Sequence, residues 1–290
     1  MSPLEFYKIT KEKLKQLADI YEIENLEEYY ELTDYNKKMP TSNYKDLSQV
    51  FAQLAFHGQN GAKIGNTVNF NANIVTLDNE LCKFNPGEFL KKYNLTEIIK
   101  DNKNSEDNQK RIEDASETLS KRLCEALHRN DKNPHLPRYA KTLLYSAIYV
   151  HSFKNKKEII NDLKVHYLKE NYKDAKELID YFREQIPAGF RVALACDFLK
   201  EFDKSFDLPK PDTHLMNTLN AFGINCKKEY ECINEMINLT ENINKSLKDE
   251  EKLTVYKFDR MIYLVCSQNF FLDKKDRNSI KKIYWEKIKN

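Results

Sequence analysis

The sequence predicts a mainly α-helical protein, and three observations carry that reading. Six glycines and eight prolines in 290 residues are too few turn formers for an all-β sandwich or barrel with its many tight hairpins. Apolar residues make up 41% of the chain, enough to fill a core, which excludes disorder for the chain as a whole. Where apolar residues recur, they do so mostly at the three- and four-residue spacing of an amphipathic helix.

In chain order, Leu14, Leu17, Ile20 and Tyr21 form one helical stripe within residues 1–35, and Leu47, Val50, Phe51, Leu54 and Ala55 form a second. The second runs into the stretch from His57 to Asn66, which holds Gly58, Gly61 and Gly65, half the glycines of the chain. That concentration predicts a special backbone. Val68, Phe70, Ala72 and Ile74 then alternate with polar residues, so the region near 68–77 fits either a short strand or a polar helix end. Residues 100–118 are so polar that they read as a connection or the solvated face of a helix. After Asn133-Pro134-His135-Leu136-Pro137, a core helix is expected from Tyr139, Leu143, Leu144, Ala147, Ile148 and His151. A polar stretch over 153–171 leads to a helix bearing Ala175, Leu178, Ile179 and Phe182.

Charge and cysteine usage narrow the function classes. Forty-seven basic against forty-five acidic residues leave a net charge of +2, so any nucleic-acid site must be local rather than a property of the whole surface. No stretch approaches the about 20 apolar residues of a membrane span, and the opening Met1-Ser2-Pro3-Leu4-Glu5-Phe6 lacks a basic-then-apolar leader. The expectation is a cytoplasmic protein with no membrane partner. The six cysteines read as buried free thiols. Cys226 and Cys232 have no neighbouring pair to complete a zinc or iron–sulfur set, so neither metal nor cofactor is expected.

Residues 172–223 are the most informative. A helix ends at Arg183. The turn Gln185-Ile186-Pro187-Ala188-Gly189-Phe190 follows, then a second helix from Arg191 to about Phe202 with Val192, Ala193, Cys196 and Leu199 inward. This is a tight helical hairpin. The amides of Gly189, Phe190 and Arg191 open the second helix at the positive end of its dipole, where a phosphate is readily held. In Pro209-Lys210-Pro211-Asp212-Thr213-His214, Asp212 stands at the N-cap of a further helix with Leu215, Met216, Leu219 and Phe222 inward. Taken alone, an Asp in this position usually does no more than cap.

Together, Ile186-Pro187-Ala188-Gly189-Phe190-Arg191-Val192-Ala193 and, 21 positions beyond Arg191, the segment Pro211-Asp212-Thr213-His214 resemble the helix-hairpin-helix DNA glycosylase superfamily, which includes endonuclease III and the 8-oxoguanine glycosylases. In that family an L-P-G-x-G-x-K-x-A hairpin grips DNA phosphate, and a V-D-T-H-type segment carries the catalytic aspartate. The match puts Gly189 at the second hairpin glycine, Arg191 at the lysine and Asp212 at the aspartate. Gln59, next to Asn60 in His57-Gly58-Gln59-Asn60-Gly61, resembles the family glutamine whose loop fills the gap left by an extruded base, and Arg138-Tyr139-Ala140-Lys141 resembles the basic, aromatic start of the helix before the hairpin unit. The resemblance spans roughly residues 47–223, with its specificity in the last 50.

What the resemblance implies is a monomeric DNA N-glycosylase that flips a damaged, mismatched or modified base out of duplex DNA and hydrolyses its bond to the sugar. Asp212 is the implied catalytic residue, and Gln59, Asn60, Gly189, Phe190 and Arg191 the implied DNA contacts. One lobe would comprise 1–50 and 224–290. The other would comprise 51–223, with the hairpin at 172–202 and the Asp-bearing helix start at 211–223, and DNA would lie in the cleft. Two departures from the pattern bear on mechanism. Arg191 replaces the lysine that forms a Schiff base in the lyase branch, and a guanidinium stays protonated, so a monofunctional enzyme is expected. Lys200 and Lys210 are the other nearby amines. Pro187 replaces the first hairpin glycine and supplies no N–H.

Two other classes fit the same residues: a non-catalytic helix-hairpin-helix DNA-binding protein, and a helical interaction protein whose hairpin only packs. His214 reads as ordering a helix start and Trp285 as part of an amphipathic packing helix in a basic tail. The Asp259-Arg260 pair inside an apolar run reads as a structural ion pair or interdomain contact.

Overall fold

A computed structural model describes residues 1–29, 40–62, 65–128, 135–167, 172–267 and 278–289. Asn133 and Pro134, named above, lie outside them, as do Lys63 and Ile64 in the stretch from His57 to Asn66. The described residues are mainly helical and include no strand. The helices are α1 Pro3–Ile20, α2 Asp46–Gly61, α3 Gly65–Val68, α4 Ile74–Glu80, α5 Pro86–Lys92, α6 Glu106–Ala126 and α7 Leu136–His151. They continue with α8 Lys156–Lys164, α9 Tyr172–Gln185, α10 Val192–Phe202, α11 Thr213–Phe222, α12 Glu229–Asn244, α13 Val255–Ser267 and α14 Asn278–Lys289.

The chain forms two compact units, one of residues 1–37, 169–176 and 199–290, the other of 38–168 and 177–198. The terminal segments share a unit, but the boundary expected at 223 lies at 198, so Asp212 and α11 belong with the termini. The reason is apolar packing. Leu215 and Leu219 of α11 are buried in one cluster with Phe6, Leu14 and Leu17 of α1 and Phe258 and Ile262 of α13. Within it Phe6 stacks on Phe222 at 4.6 Å and meets Phe258 edge-on at 5.5 Å. The tail helix α14 closes this unit from within, since the Tyr284 and Thr10 hydroxyls bond at 2.9 Å and Trp285 Nε1 donates to Thr218 Oγ1 at 3.2 Å.

The other unit is built on α7, buried along nearly its whole length from Leu136 to Val150. Pro137 fits its first turn, where a missing N–H costs nothing. Tyr139 reaches across to donate to the Ala55 carbonyl of α2 at 3.0 Å. The polar stretch 100–118 contributes most of α6, whose narrow buried stripe of Ile112, Ala115, Leu119 and Leu123 explains its low apolar content. The short strand considered near 68–77 is absent. Val68 ends α3, and Phe70 and Leu77 are buried while Ala72 is exposed. Asn73 Nδ2 donates to Val68 O at 2.7 Å, so local side-chain bonds hold this stretch as a turn between two short helices.

One ionisable group in this unit has a charged form that the fold opposes. Lys103 is 2% exposed, and its Nζ donates to the neutral acceptors Lys100 O and Gln185 Oε1 at 2.9 and 2.8 Å. Burial pushes its ammonium below the ordinary value near 10.5, although Asp101 and Glu184 oppose the shift. The folded state therefore binds fewer protons at this site than the unfolded chain between the lowered value and 10.5, and its contribution to stability rises with pH there. Urea unfolding of the native protein and Lys103→Met across that window should show the difference moving in favour of the native protein as pH rises.

Candidate functional site

The hairpin forms as the sequence predicts, α9 ending at Gln185 and α10 starting at Val192. Its inner face is aromatic: Phe182 stacks on Phe198 at 5.1 Å, and Phe190 meets Phe182 edge-on at 5.1 Å. Phe190 is thus 4% exposed, and its ring is committed to the core, leaving only its backbone for a ligand.

Two carbonyls of the turn accept from arginine side chains, and a third lies against α2. Arg138 Nε donates to Ala188 O at 2.7 Å, and Arg183 Nε donates to Phe190 O at 3.3 Å. Gly189 O lies so close to α2 that a Cβ on Gly61 would stand 1.8 Å from it. A trans peptide points its N–H opposite its C=O. Holding the carbonyls of 188, 189 and 190 therefore turns the amides of Gly189, Phe190 and Arg191 away from these partners. The Arg191 side chain beside them is exposed and has no ion pair among the described residues. Gly189 and Phe190 are themselves buried, so exposed Arg191, with its amide and guanidinium, is the part of the turn open to a single anionic group.

Gly189 itself is present for space. It does not adopt a positive φ, but a Cβ there would meet Thr142 Cγ2 at 2.2 Å and Oγ1 at 2.4 Å. Gly58, whose Cβ would meet the same Thr142 methyl at 2.9 Å, continues the contact. These glycines let α2 and the turn meet backbone to backbone at Gly61 and Gly189, and let the Thr142 side chain of α7 pack directly on the backbone of Gly58 and Gly189. The special backbone expected over 57–66 is therefore largely a regular helix end, since α2 continues to Gly61.

That continuation relocates Gln59. It sits in the last turn of α2 rather than on a loop, is 5% exposed, and its Oε1 accepts from the Phe70 amide at 3.2 Å. The neighbouring Asn60 is exposed. Beside the turn lies a cavity of about 800 Å³ lined by Pro137, Arg138, Lys141, Tyr145, Pro187 and Ala188. Its charges offset one another, because Lys141 is paired with Glu113 on the same wall and Glu184 stands with Arg138. It does not have the one-signed lining of a polyanion channel.

In the other unit, Asp212 is the N-cap of α11. Its Oδ1 accepts from the amides of His214 and Leu215 at 2.8 and 3.1 Å. Oδ2 takes no hydrogen bond from the described residues, and the side chain is half-buried. The carboxylate is thus fixed by one oxygen and free at the other. Lys200 is unsuited to act as an amine nucleophile: it is 5% exposed and its Nζ donates to Asp259 at 3.0 Å. Asp259-Arg260 reads in the sequence as a structural ion pair or interdomain contact; Asp259 instead pairs with Lys200, 59 positions away, and Arg260 Nε donates to Tyr29 O, while Arg183 as a clamp on the turn is missed. Pattern in the chain carries no signal for these pairings.

The six cysteines are unbridged. Among the described residues no three His, Cys, Asp or Glu side chains are grouped as metal ligands, and no helix is long and apolar enough to cross a membrane. Comparison with known proteins gives no match: no family model, no curated protein and no solved structure is similar to the chain.

The packing of the turn is directly testable. Ala is ordinarily favoured over Gly inside a helix by about 1 kcal/mol, yet Gly61→Ala would press a methyl into the Gly189 carbonyl. We expect both Gly61→Ala and Gly189→Ala to destabilise the protein, by about 1–3 kcal/mol, in urea unfolding. Gly61→Ala should be the worse of the two, because its obstacle is backbone.

Proposed function

We propose that the chain is a DNA N-glycosylase that hydrolyses the bond between an extruded base and its sugar, with Asp212 as the catalytic carboxylate. The observation that carries this reading is the half-engaged state of Asp212. A carboxylate whose orientation is set by two helix amides, with one oxygen uncommitted, can stabilise the positive charge that develops on the sugar as the base departs. It can also orient a water and accept its proton as oxygen bonds to the anomeric carbon. The base leaves with the electron pair of the broken C–N bond.

The turn at Ala188–Arg191 supports the substrate class. The amide and guanidinium of exposed Arg191 provide for one phosphodiester without a strongly basic surface, in keeping with a net charge of +2. Arg191 cannot form a Schiff base and Lys200 is tied to Asp259, so the reading is of hydrolysis without strand cleavage. The grip of the turn by itself would also serve a non-catalytic helix-hairpin-helix DNA-binding protein, and the exposed Arg191 is the observation in favour of that second reading. With Gln59 enclosed in α2, filling of the gap left by the base falls to other residues, of which exposed Asn60 is the nearest in the chain.

Asp212→Asn is a clean probe, because Asn caps a helix as well as Asp while removing the charge. With duplexes bearing a panel of altered bases, the native protein should leave abasic sites that alkali cleaves, and Asp212→Asn should release base about 100-fold more slowly or worse with unchanged duplex affinity. Arg191→Glu should weaken binding to every duplex and lower the salt slope by about one. Tight binding with no base release by either the native protein or Asp212→Asn would favour the binding protein instead. Binding insensitive to Arg191→Glu would leave the hairpin only a packing role.

A further inference from the structure

Asp212 follows a helix-free segment that is held to α13 at two points. Asp207 Oδ2 and Oδ1 accept from the amides of Val255 and Tyr256, the first two residues of α13, at 3.0 and 2.8 Å. In return Asp259, one turn further along α13, accepts the Lys210 amide on Oδ2 at 3.0 Å. Lys210 lies between Pro209 and Pro211, neither of which has an N–H. Its amide is therefore the one backbone donor in 209–211, and that donor is given to Asp259. The Lys210 carbonyl in turn accepts the Asp212 amide at 2.7 Å. Residue 210 is thus fixed at its N–H by Asp259 and at its C=O by Asp212.

Asp259 is 3% exposed and its balancing partner Lys200 5%. Lys200 Nζ also stands 5.2 Å from the centre of the Tyr256 ring. Burial, with the nearby Asp212 charge adding to it, pushes the Asp259 carboxyl up against the opposing pull of Lys200. A buried ion pair is an expensive way to fill a core, and well-packed apolar residues of similar volume often serve stability as well or better. The pair at this position is better explained by what the carboxylate oxygen holds than by the stability it provides.

We propose that Asp259 is a positioning residue for Asp212, acting through the Lys210 peptide, with Lys200 present to neutralise it. The inference rests on the glycosylase reading for its rate measurement but not for its structural one. The acceptor oxygen is the functional element, and the charges only make a strong acceptor tolerable in the interior.

Two charge-neutral double variants separate these roles, since neither leaves a buried ion unpaired. Lys200→Met with Asp259→Asn keeps an oxygen for the Lys210 amide, whereas Lys200→Met with Asp259→Leu removes it. Each is compared with the native protein, well below its own unfolding temperature, in single-turnover base release, duplex binding and hydrogen exchange of the His214 and Leu215 amides. The Asn variant should stay within about threefold of native in rate and exchange. The Leu variant should lose about 10- to 100-fold in rate, the scale of a displacement of about 1 Å in a reacting group, with duplex affinity kept and both amides exchanging faster. Equal behaviour of the two variants in rate and exchange would overturn the proposal. If the native protein releases no base, the glycosylase reading falls, and the exchange of His214 and Leu215 in the two variants still decides whether Asp259 orders the Asp212 cap.

Discussion

The approach of the Gly189 carbonyl to the Gly61 backbone is the constraint on which the hairpin region depends. No side chain fits between them, so α2 and the turn lie at the shortest distance two backbones permit. Thr142 fills the space on the other side of Gly189 with both its methyl and its hydroxyl. Once that carbonyl is directed inward, peptide geometry decides the rest. The neighbouring carbonyls need partners, Arg138 and Arg183 provide them, and the amides of the same peptide units are left facing the other way. The orientation of these peptide units is therefore a consequence of packing underneath the turn and of the two arginines that hold its carbonyls.

The unit containing Asp212 reaches a comparable result by polar means. Its segment 203–212 has no helix and two prolines, and the bonds among its own backbone groups are short turns within 203–208 and 210–212, which do not by themselves tie it to the rest of the unit. Two aspartates exchanged between this segment and α13 supply that tie. Where the hairpin turn is fixed by close contact, the approach to Asp212 is fixed by carboxylates, and one of them brings a buried lysine with it. The same chemistry restricts mechanism: Lys200, an amine near the proposed catalytic carboxylate in the chain, is engaged in holding the scaffold.

Much of this was legible in the sequence, and the failures share one cause. The ends of α9 and α10 followed from Pro187, Gly189 and the apolar spacing on either side, and the cap at Asp212 followed from an acidic residue between proline and an apolar helical face. These are local signals. The concentration of Gly58, Gly61 and Gly65 predicts a special backbone because glycines gather where unusual geometry is needed; here a tertiary contact needs Gly58 and Gly61, and the helix runs through both. Gln59 was displaced from loop to helix by that one misreading. The alternation at Val68, Phe70 and Ala72 fits a strand or a helix end equally, and the structure resolves it by burying Val68 and Phe70 at a turn between short helices while Ala72 is exposed. The pairings of Arg183 with Phe190 and of Lys200 with Asp259 depend on how elements pack, which no spacing along the chain encodes.

The placement of charge favours a protein that recognises its ligand at a few points. Basic and acidic groups are nearly equal in number, and many are spent on each other, as in Lys141 with Glu113, Lys100 with Asp162 and Lys200 with Asp259. A surface so balanced attracts a polyanion weakly at long range, so affinity must come from fixed donors at short range. The turn at Ala188–Arg191 has that character: its amides carry no net charge, cannot be neutralised by a neighbouring carboxylate, and are oriented before any ligand arrives. Arg191 adds a full charge on an exposed side chain with no ion pair of its own among the described residues, whereas the guanidinium groups of Arg138 and Arg183 are engaged with the turn carbonyls. An anion bound there would be placed by the direction of the donors more than by the strength of the field. For chemistry on a single sugar in a long uniform backbone, direction is the more useful of the two.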